Sequence, residues 1–73
     1  MDSKEKTWAE KAREVSNLSP EACAVAIGRS RPVYDQKEQE PGKMTIDQVV
    51  GLSLVYNEAG KNILRDYLHS IAR

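Results

Sequence analysis

"AVAIGRSRPVYDQKE", Ala24 to Glu38, is the stretch on which the fold turns. A small apolar run ends at Gly28, and Ser30 then opens a polar segment with Pro32 close to its start. Glycine takes the left-handed conformation that ends a helix without steric cost. Serine is a good helix cap, and a proline in the first helical turn loses no hydrogen bond. Two helices joined by a three- or four-residue turn containing glycine are the signature of a helix-turn-helix. Such an elbow needs a small residue one turn before the glycine, and Ala24 is there. It also needs Ile27 and Tyr34 to point inward. The plain alternative is an αα-hairpin that binds nothing.

Outward from the elbow, period 3.6 recurs and no segment alternates long enough for a strand. Trp8, Ala12 and Val15 make one apolar stripe on a first helix of roughly residues 6–16, which Asn17 and Leu18 interrupt. Ser19-Pro20-Glu21 is a start signal: a cap, a proline at the first position and an acid at the positive end of the dipole. The second helix runs to Gly28 and the third from about 31 to 39, where Pro41-Gly42 breaks it. Thr45-Ile46-Asp47-Gln48 matches a capping box. On the fourth helix Ile46, Val49, Val50 and Ser53 are expected to share a face, widened by Leu52, Leu54, Val55 and Tyr56. Asn57 and Gly60 mark a break or weak start. Ile63, Leu64, Tyr67, Leu68 and Ile71 then define an amphipathic fifth helix. The expectation is an all-α, five-helix domain over 6–73, its elbow at 19–39, with residues 1–5 frayed.

Bulk properties narrow the functional classes. A chain of 73 residues has room for one domain and buries roughly 60% of its unfolded surface. Eleven Lys and Arg balance eleven Asp and Glu, so nothing global draws the chain to a polyanion. The balance holds along the chain, with eight of each sign in residues 1–43 and three of each in 44–73. A nucleic-acid surface must therefore be a local patch, and Arg29, Arg31 and Lys37, opposed in that window by Asp35, are the candidate. One cysteine, Cys23, fits a reducing compartment and reads as a small core residue. Nothing resembles a membrane span or a secretory leader, so a cytoplasmic protein is expected. His69 lacks companions at ligand spacing, so no metal site is expected, and no cofactor. No catalytic constellation is visible, nor a closed cleft for a small-molecule substrate.

At Ala24, Ile27, Gly28, Ser30, Tyr34 and Glu38 the chain resembles the lambda-repressor-like, Cro-type helix-turn-helix family of phage and bacterial transcriptional regulators. The resemblance covers about residues 6 to 70, and "MTIDQVVGLSLVYN" looks like the family's fourth helix. Arg13 and Glu38 occupy positions where the family often carries an ion pair between helices one and three. The resemblance implies that helix three lies in the major groove of a double-stranded DNA operator. It places Arg31, Pro32 and Gln36 at base-facing positions, and Arg29, Ser30, Lys37, Gln39 and Lys43 near phosphates. The chain departs from the pattern where Lys37 replaces an inward apolar residue and Pro32 removes a base-reading side chain. A homodimer is expected, its contact formed by Tyr56, Tyr67, Leu68 and Ile71. The competing expectation is a protein-interaction module on the same fold, with a degenerate DNA surface.

Overall fold

The structure, a computed structural model, describes residues 5–72, so most of the segment expected to fray lies outside the described residues. Five α-helices follow one another: α1 (Trp8–Val15), α2 (Pro20–Ile27), α3 (Arg31–Gln39), α4 (Ile46–Val55) and α5 (Glu58–Ile71). A single 3₁₀ turn, Pro41–Lys43, separates α3 from α4. The all-α class expected from the periodicity is what the chain adopts. Among the described residues no helix is long and apolar enough to cross a membrane.

Local chemistry explains the boundaries. The Thr7 hydroxyl accepts the Glu10 N–H at 3.2 Å, and the Ser19 hydroxyl accepts that of Ala22 at 3.1 Å. Thr45 and Gln48 form the reciprocal capping box, with bonds of 3.1 and 3.0 Å. Each of these satisfies a helix-end N–H that has no partner inside the helix. α1 stops at Val15 and is closed off beyond its Ser16 cap by Asn17, whose φ of 58° is left-handed, with Leu18 N–H bonding back to the Arg13 carbonyl. α5 begins earlier than its apolar stripe suggests. Asn57 caps it by accepting the Gly60 N–H at 2.9 Å. Asn57 Nδ2 also donates to the Val15 carbonyl at 2.8 Å, tying the start of α5 to the end of α1.

The core gathers Ala12, Cys23, Ala24, Ile27, Tyr34, Leu52, Tyr56 and Leu64. α1 packs chiefly on α5, and α2 packs on α4 and α3. Two crossings are close enough to need glycine. A Cβ on Gly51 would sit 2.4 Å from the Ala26 carbonyl oxygen, and one on Gly60 would sit 3.0 Å from that of Ala12.

Two expectations require correction. The buried residues of α4 are Gln48 and Leu52, continued by Tyr56, while Ile46 and Val50 point outward. Tyr56 is only 3% exposed within the chain's own core, so it cannot form a dimer contact. The expected face mixed two sides of the helix because α4 is apolar on both. Trp8 is partly buried; it packs against the core from its margin and stacks on Tyr67 with ring centres 5.1 Å apart.

Candidate nucleic-acid interface

The turn between α2 and α3 spans Gly28, Arg29 and Ser30. Gly28 has φ 71° and ψ 31°. A Cβ there would meet nothing within 4 Å, so the backbone angle, and not crowding, is what favours glycine. The Gly28 N–H bonds the Val25 carbonyl and the Arg29 N–H reaches back to Ala24, both at 3.0 Å. That pair of bonds is the Schellman closure of a helix C-terminus. Ala24 and Ile27 are buried beside it.

α3 is anchored on one side and open on the other. Tyr34 is fully buried and donates its hydroxyl proton to Glu38 Oε1 at 2.7 Å. The same oxygen receives Arg13 Nε at 2.7 Å, so α1 and α3 are joined by a buried ion pair. Arg13 Nη1 also bonds the Leu18 carbonyl at 3.2 Å, and Thr7 donates to the Glu38 carbonyl at 2.7 Å. Burial pushes the Tyr34 phenol well above its ordinary range, and its bond to the carboxylate adds to that shift. Glu38, hydrogen-bonded to Arg13, holds the guanidinium charged.

The open side carries Arg31, Pro32, Gln36 and Gln39, all exposed, with Ser30 and Arg29 exposed at the turn. Ser30 caps α3 through its backbone alone; its hydroxyl makes no capping bond. Arg31 is not free. Its Nε bonds both Asp35 carboxylate oxygens at 2.9 and 3.1 Å, and its Nη1 meets Glu21 on α2. Asp35 and, behind it, Glu21 raise the guanidinium's proton affinity. Lys37 is half-buried, and its ammonium donates to the Lys43 carbonyl at 3.2 Å. Lys43 pairs with Glu40 at 3.2 Å.

The fold thus gathers Arg29, Ser30, Arg31, Pro32, Gln36, Gln39 and Lys43 around one exposed rod. The patch is weaker than its sequence suggests. Asp35 was visible as an opposing charge, but Glu21 is ten residues away in sequence and reaches Arg31 only because α2 and α3 meet at the turn. Leu68 and Ile71 are 41% and 61% exposed, while Tyr67 is occupied by Trp8. Cys23 is buried, and burial raises its thiol pKa, which disfavours the reactive thiolate. The chain matches no protein family, and no curated protein or solved structure is significantly similar to it.

Proposed function

We propose that the protein is a sequence-specific double-stranded DNA-binding regulator that lays α3 in the major groove and acts by occupying an operator, without catalysis. The observation that carries this reading is the two-sided character of α3. Tyr34 and Glu38 root it in the core, while Arg31, Pro32, Gln36 and Gln39 stand in solvent beyond a left-handed Gly28 turn. A helix held that way is rigid and presents its first turns outward, as a helix-turn-helix requires.

Arg31 would read guanine, and Gln36 adenine. The existing pairs of Arg31 do not prevent this. Exposed ion pairs contribute about 0–1 kcal/mol each, whereas a bidentate base contact discriminates by about 1–3 kcal/mol. The base contact wins if the groove is reached. Arg29, Ser30, Gln39 and Lys43 would fix register on phosphates; Lys37, bonded to the Lys43 carbonyl, is the weakest of the expected phosphate ligands. A homodimer would set two α3 helices about 34 Å apart, matching half-sites one turn apart.

The second reading, a protein-interaction module, is favoured by one observation: two carboxylates neutralise the arginine at the head of α3. A salt titration with random duplex separates the two. DNA binding gives a log–log slope of about −0.9 per phosphate contact. A flat response with no affinity ends the DNA reading. Within it, Glu21→Gln removes one of the two carboxylate partners of Arg31 and should tighten binding about two- to fivefold, the equivalent of one surface pair. Arg31→Ala should relax specificity at one base position; a uniform loss across sequences would make Arg31 a phosphate ligand.

A further inference from the structure

We propose that the outer face of α4 joins two copies of this chain, packed antiparallel about a two-fold axis at Val50. α4 carries apolar side chains on both of its sides. The inner side of α4 is accounted for by Gln48, Leu52 and Tyr56, buried at four-residue spacing. Its outer side carries Ile46, Val50 and Leu54 at the same spacing, 78%, 50% and 77% exposed. Asp47 is the sole charge in the helix, IDQVVGLSLV. Of the two helices packed against α4, α5 turns Lys61, Arg65 and Asp66 to solvent, while α2 exposes Glu21 beside Val25. A single exposed apolar side chain is ordinary, but an apolar row on a helix without a polar side is the pattern of a helix covered on both faces.

The row continues past α4. Leu54 lines a groove with Leu64 and Leu68 of α5, and Lys61, Arg65 and Glu58 stand on the α5 side of it, two cations against one carboxylate. Among the described residues neither cation has a carboxylate within ion-pair distance, and Asp47 at the opposite end of the row has no cation within it. One end of the face is therefore negative and the other carries a net positive charge.

That asymmetry selects the occupant. A second copy laid antiparallel sets Val50 against Val50 and Ile46 against Leu54. It also brings the Asp47 end of each copy to the Lys61–Arg65 end of the other. The two helix dipoles oppose, and the two-fold contact closes on itself. With eleven charges of each sign, the chain has no net charge to resist self-association. The proposal deepens the homodimer in the reading above and rests on that part alone; it stands or falls without reference to DNA.

Sedimentation equilibrium on the full chain tests it, with circular dichroism confirming that each variant is folded. The unaltered chain should form dimers at micromolar concentration. Val50→Lys sets like charges together at the axis and should weaken the dimer by about 100-fold or more. Asp47→Lys should weaken it about tenfold. Adding K61E and R65E to Asp47→Lys should restore the dimer to within a few-fold. A chain monomeric at millimolar concentration leaves the face to a foreign partner and overturns the proposal. So does a dimer that survives Val50→Lys but is lost with Ile71→Lys, which moves the contact to α5. Failure of the triple variant to recover overturns the antiparallel arrangement. Loss of DNA binding with the dimer intact would count only against the DNA reading.

Discussion

Arg13 and Glu38, 25 residues apart, meet through a 2.7 Å bond with side chains only 15% and 8% exposed. A pair this enclosed behaves unlike the exposed Arg31–Asp35 pair, since removing one partner strands a charge out of water. Glu38→Gln keeps an acceptor for the Tyr34 hydroxyl but leaves the guanidinium uncompensated. Stability to urea should fall by about 2–4 kcal/mol. Replacing both residues by methionine should recover part of that loss, because no buried charge is then left alone. An unchanged urea midpoint for Glu38→Gln would mean that the pair holds nothing together. These two residues were legible in the sequence as candidates, because the resemblance supplied their positions. The third member, Thr7 at the Glu38 carbonyl, carried no signal beyond that of an ordinary cap.

At the scale of the element, helix boundaries were largely readable because caps and breakers act over three or four residues. Ser19-Pro20, Thr45 through Gln48 and Gly28 each fix an end by local hydrogen bonding or a backbone angle. Which side of a helix faces inward was less readable for α4, since apolar residues occupy both of its sides. Gly51 shows what periodicity cannot carry. As a helix-interior glycine it invites replacement, and propensity alone gives alanine about 1 kcal/mol of added stability. The crossing of α2 over α4 reverses the sign. An added Cβ lies 2.4 Å from a backbone oxygen, Ala26 O, which cannot swing aside as a side chain could. Forcing the helices apart costs about 1–3 kcal/mol, so Gly51→Ala should lower the thermal midpoint despite its better propensity. A raised midpoint would show that the two helices separate freely.

For the whole molecule, two buried phenols tie stability to pH. Tyr34 and Tyr56 both titrate above the ordinary value of 10.0, chiefly because burial disfavours the phenolate. The folded state therefore holds these protons more tightly than the unfolded chain does. Their contribution is fully present below pH 10 and is lost as pH rises beyond it. Urea midpoints should begin to fall near pH 9, where the Cys23 thiol of the unfolded chain ionises, and fall further above pH 10, less steeply in Tyr56→Phe. A midpoint that rises with pH in that range would contradict the burial of these side chains. The sequence by itself determined the all-α class, the helix ends and the exposed turn after Gly28, because capping, backbone angles and period act within a few residues. Tertiary structure alone decided that Glu21 reaches Arg31, that Tyr56 lies inside and that α4 keeps an uncovered row of Ile46, Val50 and Leu54. Those outcomes depend on which helices cross and how closely, and such distances between remote segments are set by the packing of the whole chain.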